Sequence, residues 1–183
     1  MPTPPPPDNP ATSPPASDPL AFPSRAAIAA DLPAVEALHD VVFGPGALTR
    51  ASYRVRERQP ALSPFCRVLF HDGQLIAAIR YTAIRVGGES NALMLGPLVV
   101  VPAFAGRGHA RRLIAESLET ARAAGIALIV LVGDPLYYAR HGFVRSPPGR
   151  ISMPSPVDAG RLLVLELSAG AAAGYEGRVE GVA

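Results

Sequence analysis

The chain is 183 residues long, 49% hydrophobic and 17% charged, with a formal net charge of +2. That is enough apolar material for one domain with its own core, and its arginines are too scattered to make a nucleic-acid face. A single cysteine, Cys66, excludes an internal disulfide and a thiolate metal cluster, and no apolar run approaches the roughly 20 residues of a spanning helix.

Residues 1–24 hold ten prolines among Ser, Thr, Asn and Asp. Such a segment cannot bury enough surface to order itself and is expected to be an extended, disordered tail. It has neither the basic n-region nor the apolar h-region of a signal peptide, so the expected location is cytoplasmic, away from any membrane. Residues 169–183 are rich in Gly and Ala and are expected to form a flexible C-terminal segment, leaving 25–168 as the domain.

Within the domain, residues 26–29 read as a first strand. Asp31 caps a helix with Leu32, Val35, Leu38 and Val42 on one face, stopped by Gly44-Pro45-Gly46. Residues 49–59 read as a second, arginine-rich helix ended by Pro60. Strands at 65–71 and 74–86 flank Asp72-Gly73, a two-residue hairpin turn, and Gly87-Gly88 leads into a strand at 91–101. A helix at 108–124 and a strand at 127–132 follow. Asp134 and Pro135 then open a short helix closed by Gly142, and strands at 150–153 and 161–167 end the series. This order predicts an α/β fold, a mixed sheet with helices on both faces.

The stretch from Leu95 to Gly125 carries the chemistry. An apolar run ends at Pro102, and the loop Ala103-Phe104-Ala105-Gly106-Arg107-Gly108-His109-Ala110 feeds an amphipathic helix. Orphan N–H groups and the helix dipole converge at such a junction and favour an anion. Glycine at 106 and 108 leaves the amides from Gly106 to Arg111 open to a diphosphate, with His109 lending its backbone N–H. Ala110 keeps the first turn thin, and Arg107, Arg111 and Arg112 add positive charge. A P-loop would need a lysine, and all 17 basic residues are arginine. A dinucleotide fingerprint would need glycine where Arg111 stands.

The pattern resembles the GCN5-related N-acetyltransferase (GNAT) superfamily, in which a strand reading L-x-V-x-P precedes Q/R-x-x-G-x-G/A. Here Leu98-Val99-Val100-Val101-Pro102 precedes Ala105-Gly106-Arg107-Gly108-His109-Ala110, with Ala105 in place of the customary Gln or Arg. The superfamily's Y-x-x-x-G-F segment is matched by Tyr138-Ala139-Arg140-His141-Gly142-Phe143. Val42 to Gly46, Leu95 to Leu98 and Gly133 to Tyr138 further resemble a bacterial branch of predicted acetyltransferases. The resemblance spans about residues 25–168.

The resemblance implies a mostly antiparallel central sheet splayed at its middle, with Gly96-Pro97 where the splay begins. It implies acetyl-CoA as co-substrate and no metal, with Leu98, Val99 and Val100 offering backbone groups to the pantetheine. It implies acetyl transfer to a primary amine by direct attack, with Tyr138 as general acid to the leaving thiolate. The acceptor wall would draw on Phe43, Tyr53, Asp134 and Tyr137, although Asp134 reads first as a helix cap and Tyr137 points about 100° away from Tyr138. Glu36, His39, Asp40, Glu57 and Glu89 stay open as candidates for a base.

Other residues carry plainer readings. His39 and His71 are expected at the surface, and His141 at a helix end. No histidine pair has ligand spacing. Cys66 reads as a small buried hydrophobe. The helix from Arg50 to Arg58 could recognise a carboxylate or phosphate on the acceptor, but a solvated face is the preferred reading. The acceptor stays open between a small molecule and a protein amine, and the oligomeric state is open, a homodimer included. An acyl-CoA-binding module without catalysis is the competing function.

Overall fold

The computed structural model describes residues 22–44 and 51–182. The proline-rich tail therefore lies outside the described residues up to position 21. Its expected end at residue 24 is corrected: the Phe22 ring is buried, edge-on to His71 at 4.5 Å and to His109 at 5.2 Å, and Ser24 already belongs to a strand.

In chain order the elements are β1 (Ser24–Ala26), α1 (Leu32–Phe43), α2 (Ala51–Arg56), β2 (Arg67–His71), β3 (Gln74–Val86) and β4 (Glu89–Val100). There follow α3 (His109–Ala123), β5 (Leu128–Val132), α4 (Pro135–Ala139), β6 (Val144–Arg145), β7 (Ile151–Ser152), β8 (Leu162–Glu166) and β9 (Gly177–Gly181). The sheet runs β1-β2-β3-β4-β5-β8-β6, antiparallel except where β4 meets β5, with β9 pairing β3 and, in parallel, β7.

Alternation along the strands sends side chains to two faces. Ala77, Ile79 and Tyr81 of β3 meet Leu113, Ile114, Leu118 and Ala121 of α3 on one face. Ala78 meets Val35 and Leu38 of α1 on the other, together with Val68 and Val99. The α3 residues recur at helical spacing, so a single face is buried. Glu116 ties that helix to the sheet edge, accepting hydrogen bonds from Ser24 Oγ at 2.6 Å, Arg67 Nε at 2.8 Å and Arg112 Nε at 2.7 Å.

The expected flexible segment at 169–183 is a correction: it holds strand β9. β2 covers β3 only as far as Ile79, and β9 takes the same edge from Ile84 to Val86, satisfying backbone groups that would otherwise be bare. Tyr175 and Val179 are buried there, and the Tyr175 hydroxyl donates to the Ser90 carbonyl at 2.6 Å. The first strand is Ser24–Ala26 rather than 26–29, because residues 29–31 turn into a 3-10 helix; the two-residue β6 was not anticipated.

The sheet opens at its middle. β4 pairs with β5 only through Ala92, Leu93 and Met94, while β5 continues to Val132 along β8. From Leu95 onward no strand among the described residues covers that edge of β4. The β3–β4 register slips at the same level: between Ile79↔Leu98 and Tyr81↔Leu95, Arg80 alone opposes Gly96 and Pro97, whose peptide bond is cis.

Candidate active site

Beyond β4, a 3-10 turn at Pro102–Phe104 delivers the chain to the N-terminus of α3. Gly106 and Gly108 hold φ of 75° and 85°, the left-handed region that glycine enters without cost. The Arg112 amide is the first of α3 with a backbone acceptor, Gly108 O at 3.0 Å. Among the described residues nothing accepts from the amides of Gly106, Arg107, Gly108, His109, Ala110 and Arg111. A Cβ on Gly106 would meet no atom within 4 Å, so the ground before these amides is open. Arg107 lies with its guanidinium carbon 5.5 Å from the Phe104 ring centroid, and Arg111 is exposed. Arg112, expected here as well, turns away to Glu116 and to the Phe22 carbonyl at 2.6 Å.

His109 adds more than its amide. Its ring is buried, 1% exposed, with neither nitrogen hydrogen-bonded among the described residues. Burial first, then the charges of Arg107 and Arg112, lower its pKa and keep it neutral beneath the loop.

The opened edge of β4 lines a cavity of about 850 Å³. Leu95, Gly96, Pro97 and Leu98 form one side, and Val132, Gly133, Asp134 and Tyr138 the other. Helix α1 contributes Glu36, His39, Asp40 and Phe43, and α2 contributes Tyr53 and Arg56. Arg80 and a later stretch containing Asp158 and Arg161 complete it. Of the pantetheine residues expected from the sequence, Leu98 lines the cavity, Val99 packs into the core against α1, and Val100 lies farther along the same strand.

Tyr138 sits where the strand-to-helix turn fixes it. Asp134 caps α4, its carboxylate accepting from the Leu136 amide at 2.9 Å, and Pro135 occupies the first helical position. The Tyr138 ring packs edge-on against Phe143 at 5.6 Å. Its hydroxyl makes no hydrogen bond to the described residues, and burial, reinforced by Tyr137, holds the phenol well above its usual pKa. The proton is therefore present across the working pH range. Phe43, Tyr53 and Asp134 line the cavity; Tyr137 does not, packing instead near Arg140 and His141.

The profile of the acetyltransferase (GNAT) family matches residues 32–143, from the start of α1 to the phenylalanine behind Tyr138. The chain belongs to the GNAT acetyltransferase family. Over 120 residues it is 31% identical to the uncharacterised N-acetyltransferase YhbS of Escherichia coli K12, spanning 65% of this chain and 71% of that protein. The crystal structure of Escherichia coli YhbS in complex with CoA superposes with a TM-score of 0.75 at 29% identity, covering 88% of this chain and 89% of that one. A Brucella melitensis GNAT acetyltransferase in complex with acetyl-CoA shares the fold at a TM-score of 0.66 and 24% identity, over 88% and 96% of the two chains.

The structure changes the sequence reading of this GNAT site at several residues. His39 is corrected from a surface residue: it lines the cavity, its Nε2 is buried without a partner among the described residues, and burial with the charges of Arg56 and Arg80 pushes its pKa down to about 4. Of the other open base candidates, Glu36 and Asp40 line the cavity, whereas Glu57 and Glu89 do not. Arg56 is no solvated face residue, since its Nη1 donates to the Gly96 carbonyl at 2.9 Å. Arg80 and Asp158 carried no signal in the sequence, although the i, i+3, i+4 spacing of Glu36, His39 and Asp40 on one side of α1 could have shown a polar stripe beside the apolar one. Among the described residues no group of His, Cys, Asp or Glu could hold a metal ion, and no helix is long and apolar enough to cross a membrane.

Proposed function

We propose that the chain is an acetyl-CoA-dependent N-acetyltransferase that moves an acetyl group to a primary amine by direct attack, with Tyr138 as general acid. The observation that carries the reading is the place of Tyr138, whose hydroxyl makes no hydrogen bond to any described residue, in the lining of the cavity along the uncovered edge of β4. The amides from Gly106 to Arg111, with Arg107 and Arg111, would hold the diphosphate, and the bare backbone around Leu98 and Val100 would pair with the pantetheine amides. The CoA in the YhbS crystal structure supports CoA as the ligand. Acetyl-CoA supplies the activated acyl group as a thioester.

The chain's own residues do the rest. The cavity holds the neutral amine against the thioester; its nitrogen forms the new C–N bond as the C–S bond breaks. Tyr138 gives its proton to the departing sulfur, and the amine's proton returns through cavity water to the phenolate, so the balance closes with a free thiol and an amide. Burial keeps the phenol protonated until that moment.

Thiol release from acetyl-CoA, measured with and without amines for the wild type and for Tyr138→Phe, tests the reading. The variant should lose about 100-fold or more in turnover and keep its affinity for acetyl-CoA. Unchanged turnover removes Tyr138 from catalysis, and acetyl-CoA binding without amine-dependent release in the wild type supports a non-catalytic acyl-CoA module.

A further inference from the structure

Acetyl transfer needs an amide cradle, a bare strand edge and an acid, and it leaves Arg80 unused. Arg80 leaves β3 at the bulge facing Gly96 and Pro97, where the open edge of β4 begins. Its Nε is buried and hydrogen-bonds to nothing among the described residues, and Nη2 reaches only the Pro60 carbonyl at 3.3 Å. No carboxylate among the described residues forms an ion pair with it, although Glu36, Asp40 and Asp158 line the same cavity. A buried guanidinium N–H without an acceptor is costly, and a planar donor fork matches two oxygens of one oxyanion. Arg56 comes to the same place from α2, anchored on the Gly96 carbonyl. Its charge and that of Arg80 both bear on His39, whose buried Nε2 also has no partner among the described residues.

We infer that the acceptor amine carries an oxyanion, a carboxylate or a phosphate, and that Arg80 with Arg56 beside it holds that group next to the β4 bulge. This rests on the acetyltransferase reading above and narrows it to amino acids and aminoalkyl phosphates. Glu36, Asp40 and Asp158 on the same lining can accept hydrogen bonds from the amine of such a molecule and take up its extra proton before attack, so both of its ends are matched.

Paired acceptors test it with the full chain and acetyl-CoA. Glycine, alanine and glutamate are compared with their carboxamides, and phosphoethanolamine with ethanolamine, by thiol release; the melting shift caused by acetyl-CoA is recorded in parallel. The oxyanion-bearing member of at least one pair should show kcat/KM higher by about 10–100-fold. Arg80→Met should erase that preference through KM while the acetyl-CoA shift persists, and Arg80→Lys should restore part of it. A preference confined to carboxylates or to phosphate supports the inference and names the oxyanion. If acetyl-CoA binds and the neutral members react equally well or better, or no acidic probe reacts, the inference is overturned and the cofactor assignment stands. If acetyl-CoA produces neither a shift nor turnover, the acetyltransferase reading itself falls. The wild-type comparison does not depend on any variant folding.

Discussion

A Cβ placed on Gly133 would stand 2.5 Å from Cε2 of Tyr138, so the ring of the proposed acid rests directly on the backbone that ends β5. The same Cβ would approach Leu131 Cδ1 to 2.9 Å, which leaves the ring no easy retreat. Gly133→Ala should therefore displace the phenol. Overpacking of this kind costs about 1–3 kcal/mol, or roughly 2–10 °C in Tm for a domain of this size. Turnover should fall while acetyl-CoA affinity holds, because the amide cradle lies elsewhere. Equal Tm and equal turnover would show that the ring has another seat.

At the other end of the site, Gly106→Val separates strain from ligand loss. The residue would have to hold φ of 75°, at a cost of about 1–3 kcal/mol, without touching any protein atom within 4 Å of its Cβ. Its side chain would enter the open space at the loop instead. The melting temperature without ligand should drop modestly, and the affinity for acetyl-CoA should drop by at least about 10-fold, as measured by calorimetry. Full affinity in this variant would move the diphosphate off the loop.

His39 makes stability depend on pH in a defined window. Its folded pKa of about 4 lies below the ordinary 6.5, so between those values the unfolded chain binds the extra proton. Its contribution is complete above pH 6.5 and is lost as pH falls through about 4. His109 and His141 are shifted downward as well, first by burial, and add to the same slope. Urea unfolding at several pH values in this window should show stability falling toward acid, and His39→Gln should flatten that fall. A variant with an unchanged slope would mean that His39 is not the neutral, buried group described.

The C-terminal strand offers a test of the fold. Removing residues 175–183 takes away the buried Tyr175 and Val179 and the bond from Tyr175 to Ser90. Two buried side chains of this kind contribute about 3–6 kcal/mol. Truncation should thus lower the urea midpoint sharply, and Val179→Ala should lower it in the same direction by less. A truncated chain as stable as the full one would show that β9 only rests on β3.

Much of this was legible because it is written in local chemistry. Asp72-Gly73 placed the β2–β3 turn, Asp134-Pro135 placed the start of α4, and Gly106 with Gly108 placed the loop before α3. Each is a short stretch whose backbone demands a particular residue. What was missed depends on distant partners. β9 has a weak strand signature and forms because β3 runs past the end of β2. His39, Arg56 and Arg80 come from three separate elements and acquire meaning only where the β4 bulge gathers them. Tyr137 and Tyr138 are neighbours in sequence, and only the packing of α4 decides which of them meets the cavity.

The central claim is that the loop before α3 binds the diphosphate of acetyl-CoA, and thermal unfolding with and without that ligand tests it most directly, with NAD and ATP as controls. At about 100 times its Kd a ligand adds about 2.7 kcal/mol, roughly 5–10 °C for a chain of this length. The account predicts a rise of that size with acetyl-CoA and none with the controls. No rise with acetyl-CoA, or an equal rise with all three, would contradict it.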